Sequence, residues 1–490
     1  MNRMALGLGT LLGLASACDI ADAAEIDSGL AMIAERDGMA DVLIVLPDQD
    51  PPLLSPLAPD GNYLLRRRAL VDALVARADT SQASTRHWLA KQGLAHRAFW
   101  IANVIAARLP AAVLRELAQR TDIASIKSDA EIAMGVPQPE LVTAPEAIEP
   151  GVTKIRAPEV WALGFTGQGV VIGGVDTGYQ WDHPALKSHY RGWNGVTANH
   201  NYNWHDAIHS GTSTCGVNLV VPCDDNGHGT HTAGTFAGDD GSANEIGVAP
   251  GAKWIGCRNL GSASATTSSH IECMQWMLAP TNLSGNTPDP DLAPDVMNNS
   301  WGCSVAEGCT TGNEIKVAVD NLVAGGIVFV TVAGNAGPNC STITVPPAIY
   351  DSAFVVGATS SADVLAGFSS RGPVTGSSLI RPDISAPGVS VRSSYIGNTY
   401  ASLSGTSMAA PHVAGAVALL FSAHPGLKGH PAEVARILHA TAATAGVTDA
   451  TVQACGGTAA TTWPNNMIGY GRIDVAAAVH EVIFVGGFED

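Results

Sequence analysis

Apolar and polar positions divide the chain into two textures. Residues 41–46, Asp-Val-Leu-Ile-Val-Leu, read as a strand, and the charged amphipathic stretch from Leu64 to Leu94 reads as one or two helices. Phe99-Trp100-Ile101 and Asn103-Val104-Ile105-Ala106-Ala107 read as paired strands. Pro110 opens a helix running to about Arg120, because proline suits a first helical turn. Ile123-Ala124-Ser125-Ile126 adds a last strand. The order β-α-β-β-α-β is a split βαβ unit of ferredoxin-like type. From Val136 to Pro150 the chain is rich in Pro, Ala and Glu and lacks periodicity, so it reads as an exposed linker open to proteolysis.

Beyond Gly151 the pattern changes to continuous apolar runs. Val170-Val171-Ile172-Gly173-Gly174-Val175 is one; others lie at Trp254–Cys257, Val296-Met297, Ile327–Val332 and Phe354–Val356. Such runs suit strands buried on both faces. Helical patterns at Ile271–Leu278 and Glu314–Ala324 fall between them. Alternating strand and helix predicts an α/β domain with a parallel sheet, preceded by the small α+β unit.

Composition narrows the setting. The 490 residues suffice for more than one folded unit, and the formal net charge of −18 disfavours nucleic-acid or anionic-membrane partners. Residues 1–24 carry one early positive charge and a short apolar run, and Ala21-Asp22-Ala23 offers small residues for cleavage; this reads as a secretory signal peptide. A lipid anchor at Cys18 is the alternative. No later stretch reads as a transmembrane helix. Of nine cysteines, eight remain if Cys18 is removed. An even number in an exported chain suggests disulfides. Cys215–Cys223 and Cys303–Cys309 are spaced as local staples, and the other four can pair as Cys257–Cys273 and Cys340–Cys455.

Three segments carry chemistry. Asp176 ends an apolar strand in Val175-Asp176-Thr177-Gly178. His228 opens a helix of small residues in Asp225-Asn226-Gly227-His228-Gly229-Thr230-His231. Ser407 sits in Gly405-Thr406-Ser407-Met408-Ala409-Ala410-Pro411-His412, where Pro411 is expected in the first helical turn, with Ser407 at a helix N-terminus that favours developing negative charge. Neutral serine is a weak nucleophile, so acyl transfer needs a histidine to take its proton and an aspartate to orient the imidazole. Each residue alone has a bland reading: a turn aspartate, a buried histidine, an N-cap serine. His228 and His231, three apart, have the spacing of a metal pair, but no third ligand lies near them in sequence.

These three motifs, in this order, resemble those of the subtilisin-like serine proteases, over about Pro158 to Val479. Asn298-Asn299-Ser300-Trp301-Gly302 and Asp182-His183-Pro184-Ala185-Leu186 resemble the bacillopeptidase-F-like branch. The resemblance implies a triad of Asp176, His228 and Ser407, and an oxyanion donor at Asn335 in Ala333-Gly334-Asn335-Ala336-Gly337. It implies that Ser300, Trp301 and Gly302 form a substrate-pairing edge, and that Val332, Ala333 and Gly334 wall the primary pocket. These wall segments hold no acidic residue, so an apolar or uncharged side chain is expected at the cleavage position. Residues 25–133 resemble the family's propeptide, chaperone and inhibitor of its own enzyme; 134–150 would hold the maturation site and 151–490 the peptidase domain. Polypeptide substrates and a monomer are implied, with no required cofactor. The family's usual calcium carboxylate falls at Ala185, so that site is expected to be absent; Asp239 and Asp240 remain open to some other cation. The rival readings are a catalytically silent fold that binds, and an acid-acting glutamate–aspartate–serine peptidase, which His228 disfavours.

Overall fold

The computed structural model describes residues 24–49, 62–133, 139–142, 147–211, 213–242, 244–261, 264–302, 313–451 and 453–485. The proposed signal segment with Cys18, the Cys303–Cys309 pair and the terminal 486–490 lie outside the described residues.

The amino-terminal unit has the expected core, except that the strand read at Phe99–Ile101 lies at His96–Phe99, with Trp100 and Ile101 in the turn that follows. Ala40–Val45 lies between Val104–Leu109 and Ser125–Ser128, antiparallel to both, with His96–Phe99 beyond Val104–Leu109. The amphipathic stretch forms two helices, Tyr63–Ser81 and Ala83–Lys91. Two elements were not expected. Glu25–Ile26 adds a parallel edge to Ser125–Ser128, and Leu30–Asp37 forms a helix.

The larger unit is built on a seven-stranded sheet, every neighbouring pair parallel. Its order is Ile384–Pro387, Phe354–Thr359, Val328–Val332, Val296–Asn299, Val171–Asp176, Lys253–Arg258, Trp204–Asp206. On one face lie the helices His228–Ala237 and Thr406–Ala423, whose alanines, Phe236 and Phe421 share a core with Ile172, Val330 and Val356. On the other lie Thr267–Leu278 and Asn313–Ala324. The amino-terminal sheet packs onto these two helices, so Leu43, Phe99 and Ile101 share a core with Met274, Ala318 and Leu322. Among the described residues, Thr406–Ala423 alone is long and apolar enough to cross a bilayer, but it is buried beneath the sheet.

Two sequence readings change here. The segment read as a linker contains the strand Glu140–Val142, antiparallel to Tyr400–Ser402 in the hairpin of Val391–Tyr395 and Thr399–Leu403, and a helix begins at Pro150. Pro411 lies in the second turn of its helix, not the first. Three disulfides form as paired from sequence: Cys215–Cys223, Cys257–Cys273 and Cys340–Cys455.

Candidate active site

Parallel sheets place functional groups at the carboxyl ends of their strands. Asp176 ends the central strand Val171–Asp176, and the chain then turns at Gly178, whose φ of +112° and position 1.9 Å (for an added Cβ) from the Cys223 carbonyl leave room only for glycine. His228 begins its helix after Gly227, a left-handed N-cap with no capping side chain of its own. Asp176 Oδ1 meets His228 Nδ1 at 2.7 Å, and both side chains are buried. The carboxylate also accepts from the Thr177 amide at 2.8 Å and from Thr232 Oγ1 at 3.3 Å. Burial disfavours a charged imidazole, but the charge and hydrogen bond of Asp176, with Asp224 behind it, outweigh that and raise the pKa of His228.

Ser407 lies in the first turn of its helix, where backbone N–H groups have no helical acceptor. Its hydroxyl donates to the Ser300 carbonyl at 3.1 Å, and Ser300 Oγ donates to the Ser407 carbonyl at 2.9 Å. Pro411 explains the second bond. It stands four residues after Ser407, where a helical N–H would bond the Ser407 carbonyl, and proline has none. The Ser300 hydroxyl takes that place. Two reciprocal bonds thus join the nucleophile candidate to the edge segment.

Asn335 sits on an exposed turn after the strand Val328–Val332. Its Oδ1 accepts from the Thr406 amide at 2.9 Å and from Thr406 Oγ1 at 3.0 Å. A backbone N–H can only donate, so the amide orientation is fixed. Its NH2 end is the one turned to other acceptors.

Of the remaining candidates, Ser300 and Trp301 are buried; the Trp301 ring stacks on His270 with centroids 3.8 Å apart. Val332 and Ala333 are buried at a strand end, and the Gly334 carbonyl accepts from the Ser370 amide. His231 is not a partner of His228: its Nε2 faces the Val391 and Ala401 carbonyls at 2.9 and 3.0 Å, and burial pushes its pKa down to about 3. Asp240 is occupied by protein donors from Ser242, Asn244 and Tyr400.

The sequence did not single out several residues that join the amino-terminal unit to the larger one. Ser264–Ala265 pairs antiparallel with Ile132–Ala133 of the amino-terminal unit. Nearby, Asp129 accepts from the Ser268 amide at 2.8 Å, and Arg97 pairs with Glu272, which also faces His205 and His209 at 2.9 Å. Farther along the interface, the buried Arg67 donates to the Gly325 carbonyl at 2.7 Å and the Pro290 carbonyl at 3.3 Å.

A buried aspartate–histidine pair at strand and helix ends, a serine on a neighbouring helix and an exposed asparagine beside it define a hydrolase of the serine-nucleophile class. A model of the subtilase family matches residues 167–471, and the chain belongs to that family of subtilisin-like serine endopeptidases. Bacillopeptidase F of Bacillus subtilis (strain 168) is 36% identical over 439 residues, covering 85% of this chain but 29% of that protein. The chain therefore spans less than a third of that relative's length. Subtilisin E of the same organism is 34% identical over 340 residues, 68% of this chain and 74% of that protein. Subtilisin DY of Bacillus licheniformis is 38% identical over 279 residues, 56% of this chain and 85% of that protein.

Proposed function

We propose that the chain is the self-inhibited precursor of an exported endopeptidase that cleaves polypeptides through an acyl-enzyme on Ser407. The observation that carries this reading is the 2.7 Å bond between Asp176 and His228, set beside a serine whose helix N-terminus and neighbouring asparagine both offer N–H groups. Ser407 Oγ leaves the Ser300 carbonyl, passes its proton to His228 Nε2 and attacks the scissile carbonyl carbon. The oxyanion takes hydrogen bonds from Asn335 Nδ2 and the Ser407 backbone N–H. Asp176 holds Nδ1–H and stabilises the imidazolium. His228 then gives its proton to the leaving amine, and the C–N bond breaks. Water, deprotonated by the same histidine, releases the acid and restores the serine. No step calls on a cofactor.

Residues 25–133 act in this reading as the propeptide, and 134–150 contain the maturation bond. Supporting this is the Ile132–Ala133 strand laid antiparallel on Ser264–Ala265, as an extended substrate would add to a sheet edge. The disulfides, one of them closing 115 residues, agree with an oxidising compartment. The pocket walls Val332, Ala333 and Gly334 carry no charge, which favours an apolar or uncharged side chain before the scissile bond. The mature enzyme is proposed to act as a monomer. Ser407→Ala tests the assignment: the variant should leave casein and its own precursor uncut and take no fluorophosphonate label. Cleavage of both at the parental rate would sink it.

A further inference from the structure

We propose that Asp224 is a positioning residue for acyl transfer, fixing the end of the Asp176 strand to the start of the His228 helix through Thr177. The inference rests on the assignment of Asp176, His228 and Ser407 just given. Asp224 is buried and ends no regular element, yet its carboxylate accepts five hydrogen bonds. Oδ1 takes Thr177 Oγ1 at 2.9 Å, the Asn226 amide at 3.0 Å and the Gly227 amide at 2.8 Å. Oδ2 takes the Thr230 amide at 2.9 Å and Thr230 Oγ1 at 2.6 Å.

The donors fall into two groups. Thr177 follows the catalytic aspartate; Asn226, Gly227 and Thr230 surround the catalytic histidine. Thr177 Oγ1 closes the circuit by accepting from the Gly229 amide at 3.0 Å. Residues 177 and 229, each next to a reacting residue, are thus tied to one another, and through Thr177 to the Asp224 carboxylate. Gly227 has no side chain with which to cap the helix, and Asp224 supplies that cap from three residues upstream, with its negative charge at the positive end of the dipole. The network fixes the span bridged by the 2.7 Å Asp176–His228 bond.

Charge gives the network a second consequence. His228 becomes an imidazolium in the transition state, and a second buried carboxylate favours that form. The ionisable groups facing His228 are Asp176, Asp224 and His231. Tyr179 and Tyr395 also face Asp224, and both are kept neutral by burial. Arg258, beside the Gly178 turn, is committed to Asp206 in a buried pair at 2.9 Å.

The test uses enzyme produced from the full chain, matured wherever the chain cleaves itself, with kcat, KM, the acid limb of kcat/KM and the melting temperature measured for four variants. Asp224→Asn puts an NH2 among five donors and removes the charge. It should lower kcat about 10–100-fold, leave KM within about twofold and move the acid limb to lower pH. Thr177→Val removes the bridge but keeps the charge, so kcat should fall while the limb stays in place. Thr177→Ser should restore kcat. If Asp224→Asn gives no soluble chain, the Thr177 pair carries the test alone. Parental kcat and an unmoved limb in both Asp224→Asn and Thr177→Val would overturn the proposal, as would losses matching only the loss of folded enzyme. Ser407→Ala is the fourth variant: its retained activity would instead overturn the underlying assignment.

Discussion

The link between Ser300 and Ser407 can be tested by a swap of donors. In Ser300→Ala the Ser407 carbonyl loses the Ser300 hydroxyl, and Pro411 has no N–H to replace it. Ser300 is 3% exposed and Ser407 7%, so water has poor access. A made hydrogen bond contributes about 0.5–1.5 kcal/mol net, but a buried acceptor left empty costs about 1–3 kcal/mol. The second range applies here. Asn298 Nδ2, which donates to Ser300 Oγ at 3.0 Å, loses its acceptor as well. If the strain is released before the transition state it appears as lost stability. If it is expressed by a displaced nucleophile, the same energy lowers kcat about 5–150-fold, since 1.36 kcal/mol is tenfold.

Pro411→Ala separates these parts. Alanine restores a backbone N–H at the position that bonds Ser407 in an ordinary helix. Adding Pro411→Ala to Ser300→Ala should therefore recover about 1 kcal/mol relative to the sum of the single changes, a coupling within the range of contacting residues. Urea melts of the four chains, each carried through kcat and KM on one peptide substrate, complete the cycle. Additive changes, with no coupling in either stability or kcat, would refute the claim that the Ser300 hydroxyl stands in for the missing proline N–H.

Further outcomes follow from other groups. In the proposed mechanism activity needs neutral His228, whose pKa Asp176 raises, so kcat/KM should be low in acid and rise through a midpoint above the ordinary histidine value; Asp176→Asn should lower kcat by on the order of 10⁴. A midpoint below the ordinary histidine value in the parent enzyme would contradict the electrostatics. His231, His270 and His412 are buried with pKa values pushed down to about 3, 3 and 4, by burial first in each. Their unfolded forms bind protons from about pH 6.5 downward while the folded forms do not. Stability should therefore be full above that pH and fall progressively towards pH 4, read as decreasing urea midpoints; a flat profile would refute it. Replacing Cys340 and Cys455 together by Ala opens a 115-residue closure, and loop entropy puts the loss at about 5 kcal/mol; an unchanged denaturation midpoint would show that the denatured chain is not constrained there. Arg67→Ala removes a buried anchor between the two units, expected to cost about 2 kcal/mol. The lag between self-cleavage and free activity should shorten about 30-fold, and an unaltered lag would place the inhibitory contact elsewhere.

What could be read from the chain alone depended on whether side chains or backbone did the work. Asp176, His228 and Ser407 stood out as candidates because each lies among small residues, at a strand end or a helix start, in motifs whose order carries the family resemblance. That signature arises from close backbone approach, as at Gly178, where any Cβ would strike the Cys223 carbonyl. Five of the seven parallel strands were legible because burial on both faces leaves unbroken apolar runs such as 170–175 and 327–332; the short edge strands Trp204–Asp206 and Ile384–Pro387 have no such run and were not read. Ser264–Ala265 and Glu140–Val142 were not legible either. Each is a short edge pairing made by backbone atoms, and two or three residues are too few for a period. Glu25–Ile26 and Leu30–Asp37 escaped for a related reason, being short and next to a segment read as a leader.

Pro411 shows a different failure. A rule about a single residue placed it in the first turn, because proline inside a helix leaves a carbonyl without its donor. The rule describes the cost correctly but assumes that the donor must come from the same helix. Here it comes from Ser300, 107 positions earlier in the chain. Asp224 is the same case in reverse: Gly227 lacks a capping side chain, and the cap arrives from outside the helix together with a bond to Thr177. In both places a helix terminus is left incomplete by its own sequence, and the group that completes it ties the helix to another part of the site. Local propensity fails where the functional residues must be held relative to one another, because the holding groups belong to neither element.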